Sequence, residues 1–247
     1  MGAGTAAWRE SSEGDGTTLV LEFAAYSLPD HPAGLNRLGF IQERISLAEV
    51  VMTEAMDFGL MTASAEESAE EARQALHSTA SQVAYTAVDA RIQTHSMETA
   101  TAHFTAPSAL SAGHRTQLEQ MARRALATAP RKSVGLSLDG ETPPPFLQAM
   151  AQLLRRPNGG EARYIYNCRL YRLRLRRTAD AKAGEHFRSR GLASGPVVAV
   201  DGRLQPAAGG KAIDFRLWVD GPAANPLPLR IEYQPKSYLR LAFEAEA

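Results

Sequence analysis

The fold is decided by Ile213-Asp-Phe-Arg-Leu-Trp-Val-Asp220, followed by Leu227-Pro-Leu-Arg-Ile-Glu-Tyr233 and Tyr238-Leu-Arg-Leu-Ala-Phe-Glu-Ala245. Ile213, Phe215, Leu217 and Val219 alternate with Asp214, Arg216, Trp218 and Asp220. Successive strand residues point to opposite faces, so this alternation predicts one apolar face and one wet face. In the closing pair the apolar sets are Leu229, Ile231, Tyr233 and Leu239, Leu241, Phe243, with Arg230, Glu232, Arg240 and Glu244 opposite them. Gln234-Pro-Lys236, followed by Ser237, separates the two runs. Short connections and single apolar faces predict an antiparallel meander, because a parallel sheet is covered on both faces and needs long crossovers. Facing opposite charges add only about 0.2–1 kcal/mol each, so burial sets the register.

Upstream, Ala162–Thr178 alternates in the same way. It places Arg172, Arg174 and Arg176 on one sheet face, with Trp218 a neighbour if its strand pairs alongside. Guanidinium groups bind carboxylate or phosphate in bidentate fashion, which makes these four residues the candidate ligand-binding set. The competing expectation is a solvated ladder answered by Glu232 and Glu244.

Toward the N-terminus, helical stripes replace alternation. Phe146, Leu147, Met150, Leu153 and Leu154 share one face after Thr142 and three prolines, and Asn158-Gly-Gly160 stops them. Leu118, Met121, Ala122, Ala125 and Leu126 form another stripe, capped by Ser111 and stopped by Pro130. Val83–Ile92 and Thr99–Thr105 read as two strands, with a turn at Asp89–Arg91 or Thr94–Ser96. Ser46-Leu-Ala-Glu49 and Ser64-Ala-Glu-Glu67 are capping boxes that predict helices, the first with Leu47, Val50, Val51, Ala55 and Phe58 on one face. Thr17–Ser27 predicts a first strand, and 1–16 an unstructured lead-in.

The 247 residues carry 27 basic and 27 acidic side chains, and 44% are hydrophobic. That is enough for a core, and the zero net charge removes the bulk reason to bind nucleic acid. No apolar run reaches the roughly 18 residues of a spanning helix. The single Cys168 closes no intramolecular disulfide and reads as a buried thiol. The six histidines lack close ligand spacing, so no metal and no cofactor is expected. Phosphate-loop, HExxH, CxxC and GxSxG patterns are absent; Gly191-Leu-Ala-Ser-Gly195 sets its serine one place late and reads as a turn. Asp139-Gly-Glu141 reads as a turn as well. Met1–Asp15 has neither a basic nor an apolar signal region. The expected location is therefore periplasmic if a leader has been lost and otherwise cytoplasmic.

Tyr164-Ile-Tyr-Asn-Cys-Arg-Leu-Tyr-Arg-Leu-Arg-Leu175, Phe215-Arg-Leu-Trp-Val219, Pro228-Leu-Arg-Ile-Glu-Tyr233 and Leu239-Arg-Leu241 together resemble an uncharacterised bacterial envelope family. Its long antiparallel strands curve around helices much as in the periplasmic lipoprotein carrier LolA, and a tryptophan-bearing strand precedes a P-[LV]-R-I-E strand. The resemblance covers roughly residues 162–245, and it implies no catalytic residues. The fold expected is α+β: a curved antiparallel sheet, or half-barrel, of six to nine strands, with several helices on its concave face. Residues 17–247 would form one domain; the alternative divides the chain into an α/β unit, 17–130, and a helix with a meander, 131–247. The function expected is a non-enzymatic binding module for a lipid, acyl chain or lipoprotein in a cleft between sheet and helices. The alternative is a soluble enzyme or structural interaction protein with a non-contiguous site.

Overall fold

The computed structural model describes residues 3–13, 16–26, 35–46, 57–59, 82–93, 96–107, 110, 114–135, 142–166, 169–221, 228–236 and 239–245. The chain divides into two compact units, Met1–Thr142 and Pro143–Ala247. Both are built on antiparallel sheet, so the α+β class holds, but the strands form two sheets rather than one.

The first unit is a seven-stranded sheet in sequence order: β1 Ala3–Glu13, β2 Gly16–Tyr26, β3 Leu35–Ser46, β4 Asp57–Gly59, β5 Gln82–Gln93, β6 Ser96–Pro107 and β7 Arg131–Gly135. Residues 3–13, expected to lack structure, pair along their whole length with β2, Ala3 opposite Tyr26 and Glu13 opposite Gly16. Helix α1, Arg115–Ala127, packs on β5 and β6. Leu118, Ala122 and Leu126 bury against Phe40, Tyr85, Ala87, Ala100, Ala102 and Ala106, as the helical stripe requires. Alanines on the strands let the helix approach closely, and the Tyr85 and Phe104 rings stack beside them at 5.2 Å. Burial pushes the Tyr85 hydroxyl up to about 12. The N-cap of α1 is His114, without a side-chain cap bond; the expected cap, Ser111, lies outside the described residues. Ser46 ends β3 and Phe58 sits in β4, so neither belongs to the helix that the first capping box suggested. The intervening residues, the second box, Cys168 and Asp139–Glu141 lie outside the described residues.

The second unit opens with α2, Phe146–Arg155, followed by β8 Gly159–Tyr166 and β9 Arg169–Ala179. After α3, Ala181–Ser189, come β10 Val197–Pro206, β11 Ile213–Asp220, β12 Pro228–Lys236 and β13 Leu239–Glu244. These six strands run β13-β12-β11-β10-β9-β8, and neither sheet is closed. The long alternating run at 162–178 is a hairpin rather than one strand, with Tyr166 opposite Arg169. Pro145 bridges to Ile165 on the β8 edge, which fixes the entry into α2.

Helix α2 lies on one face, where Ala149, Met150, Leu153 and Leu154 pack on Tyr164, Leu173, Leu175, Val200, Leu217 and Val219. Helix α3 lies on the other, where Phe187 packs with Val197, Ala199, Trp218 and Leu229. The helices thus do not share one concave surface: α1 belongs to the first sheet, and α2 and α3 take opposite faces of the second. Leu229 is also on the unexpected side. Trp218 pairs with Arg230 and Val219 with Pro228, so Leu229 is an extra residue in β12. Such a bulge re-aims a side chain, and Leu229 turns toward Phe187 while Ile231 stays with the α2 cluster.

Candidate functional site

The α3 face carries every candidate residue, and its antiparallel register arranges them in cross-strand rows. Nearest α3, Thr178, Ala199, Trp218, Arg230 and Glu244 stand side by side on β9 to β13. In the next row Arg176, Asp201, Arg216 and Glu232 alternate in sign. Beyond it stand Glu161, Arg174, Arg203 and Asp214, and farthest from the helix Arg163, Arg172 and Gln205. The face therefore grades from apolar, through a balanced charge lattice, to a basic corner.

Trp218 is the hinge of this gradient. Its ring is 8% exposed, covered by the α3 cluster. Its Nε1–H donates to Asp180 Oδ2 at 3.0 Å, and Asp180 Oδ1 accepts the Ala183 amide at 3.0 Å as the N-cap of α3. The Ala183 bond, and after it the Trp218 bond, hold the Asp180 carboxyl below the usual carboxylate range. The Arg230 and Arg216 guanidinium carbons lie 5.4 and 5.8 Å from the indole centroid. At that distance the ring quadrupole attracts each cation by about 0.5–2 kcal/mol.

Glu244, on the edge strand β13, gathers the other end of α3. Its Oε1 meets His186 Nε2 at 3.1 Å and pairs with Arg190, while Oε2 accepts from Arg230 at 3.1 Å. Burial works to raise the Glu244 carboxyl, but the His186 hydrogen bond and the His186, Arg190 and Arg230 charges outweigh it and hold it low. Past the helix, Asp220 Oδ2 accepts from the Ser194 amide at 3.0 Å and hydroxyl at 3.1 Å. The Gly191–Gly195 turn is tied down by that carboxylate.

Arg172, Arg174 and Arg176 do share one exposed face, as their spacing requires. Trp218 is on that face but not adjacent, because β10 lies between β9 and β11. Nor do Glu232 and Glu244 answer the ladder: both pair with Arg230, whose strand lies three places from β9. Arg174 instead pairs with Glu161 at 2.9 Å, and Asp201, opposite Arg176, bonds Arg216 at 2.6 Å. Among the described residues Arg172 and Arg176 form no ion pair within 4.0 Å.

Asp180, His186, Arg230 and Glu244 were missed as site residues by the sequence reading. Asp180 ahead of Ala-Lys-Ala, with His186 and Arg188 in the last turn, is a usable helix signal. No group of three or more His, Cys, Asp or Glu side chains among the described residues is placed to hold a metal. No described helix is long and apolar enough to cross a membrane. No protein-family model, no curated protein and no solved structure matches the chain, so its functional reading rests on its own residues.

Proposed function

We propose that the chain is a non-enzymatic binding module for an amphiphile: a lipid, an acyl chain or a lipoprotein's acyl group. In this reading the six-stranded sheet curves as a half-barrel of the LolA-like kind with α2 on its concave face. The ligand's apolar part enters beneath α3, and its anionic head meets the arginine rows. One observation carries the reading: the apolar cluster of Phe187, Trp218 and Leu229 and the guanidinium row of Arg176 and Arg216 occupy neighbouring rows of a single sheet face. An apolar seat beside a few convergent polar groups is the composition of a small-molecule site. Polar ties at Asp180 and Glu244 hold α3, in which only Gly184 and Phe187 are buried. A helix held in this way can lift at modest cost.

Native mass spectrometry of the purified chain tests the proposal and should detect a co-purified lipid. A fluorescent long-chain fatty acid should bind, and Arg174→Ala should weaken it severalfold. Repeated purification free of lipid, with no uptake of the probe, overturns the reading in favour of a structural interaction protein or an enzyme.

A further inference from the structure

Helix α3 and the sheet beneath it bring cations toward each other. Lys182, His186 and Arg188 lie in the helix and Arg190 directly after it, against the single acid Glu185. On the sheet, Arg216 and Arg230 flank Trp218 and pair along the strands with Asp201 and Glu232. Two carboxylates stand between the helix and sheet sets. Glu244 takes His186 and Arg190 from the helix side and Arg230 from the sheet, with His186 and Arg230 each at 3.1 Å. Asp180 bonds the Ala183 amide and the Trp218 indole, and it lies within reach of the Lys182 charge on the helix and the Arg216 charge on the sheet. Apolar anchorage is slight by comparison. Phe187 is the one large side chain that α3 buries, whereas α2 buries Leu147, Met150, Leu153 and Leu154. The α2 cluster on the opposite face is insensitive to pH where it is built from Leu173, Val200, Leu217 and Val219, which carry no proton to exchange. One face of the sheet is therefore held by hydrocarbon, and the other leans on two carboxylates and one ring.

We propose that α3 is an acid-released strap: when Glu244 and Asp180 take up protons, the helix lifts from a sheet that stays folded, and Trp218 and Leu229 meet water. Protonation removes the anion on which each tie depends. Arg190 and Arg230 are then left facing each other with His186 beside them, and Lys182 is left facing Arg216. Both carboxyls are held below the ordinary carboxylate range, so the ties persist at neutral pH and fail as the medium becomes more acid than about pH 4. A segment with few buried apolar side chains opens before the core does. The device stands without the amphiphile reading; joined to it, it supplies the step that empties the seat beneath α3.

Trp218 itself reports the motion. The chain has two tryptophans, Trp8 and Trp218, so Trp8→Phe leaves the second as the sole indole. In that background acrylamide quenching of its fluorescence should rise severalfold as pH falls from about 7 to about 3, while the far-ultraviolet circular dichroism of the sheets holds steady. Glu244→Gln should show raised quenching already at neutral pH and a smaller rise in acid. Should that chain not fold, Arg190→Gln removes the helix side of the same tie and should raise quenching in the same way. Quenching that rises only together with loss of the circular dichroism, or that is indifferent to these substitutions, overturns the strap. Bound lipid in native mass spectrometry with an immobile strap spares the binding module. A moving strap with no lipid or fatty-acid uptake does the reverse.

Discussion

The Trp218 indole and the Asp180 carboxylate are joined across 38 residues by a 3.0 Å hydrogen bond, and the same carboxylate caps α3 through the Ala183 amide. One side chain thus starts the helix and fastens it to the middle of a sheet.

Asp180→Ala should cost about 1–3 kcal/mol, from a lost cap of about 0.5–2 and an orphaned indole N–H of about 1. Trp218→Phe should cost about 1 kcal/mol by the lost bond alone. The two combined should fall short of additivity by at least about 0.5 kcal/mol in denaturant unfolding. Strict additivity would show that the bond does not couple helix to sheet.

Acid should loosen α3 through Glu244. Its folded-state pKa is depressed, so the stability it contributes is present above the ordinary carboxylate range of about 4 and is lost as pH falls through the lower folded value. Asp180 acts in the same direction. Glu244→Gln should lower stability at neutral pH and flatten its decline below about pH 4. An acid limb as steep as that of the unaltered chain would contradict the assignment.

Gly202 stands opposite Phe215, and a Cβ built there meets the ring carbon Cζ at 2.0 Å. The partly buried ring packs against the α2 cluster, so making room for the methyl group disturbs that packing. Gly202→Ala should therefore destabilise by about 1–3 kcal/mol, as overpacking does. Gly202→Ala combined with Phe215→Leu should recover part of the loss, and a neutral single variant would show that the ring is mobile.

Neighbouring residues of β9 should differ sharply. Leu173 is fully buried in the α2 cluster, and its replacement by Ala should cost about 2–5 kcal/mol. Arg172→Ala, one residue away on the exposed face, should stay within about 0.5 kcal/mol. Comparable losses for both would mean that the strand does not present its two faces as described.

Alternation was a reliable guide wherever pairing is regular. It assigned Leu173 and Leu175 inward, Arg172, Arg174 and Arg176 outward, and separated the two sets of β11 onto opposite faces, although Trp218, on the face expected to be wet, is buried under α3. It failed at Leu229 because counting by two assumes that no strand holds an extra residue. The stripes of α1 and α2 were also legible, but a stripe reports only that a face is buried; that α1 serves a different sheet depends on chain topology. Helix α3 escaped notice because Phe187 is its one large apolar side chain, too few to set a period. The arginine row was visible in sequence, whereas its answering acids were not. Glu161 reaches Arg174, and Asp201 comes to stand opposite Arg176, through strand order, which the side-chain pattern of β9 alone does not contain.

The strictly sequential order of the seven-stranded sheet bears on how the protein is made. Among the described residues every ladder partner of β1 to β7 lies between residues 3 and 135, and each strand waits only for its immediate successor. A ribosome that has just added Gly135 has supplied every described main-chain partner of this sheet, before any described strand of the arginine-bearing sheet has been synthesised. Early closure of short-range hairpins is fast and leaves few open edges to nascent neighbours.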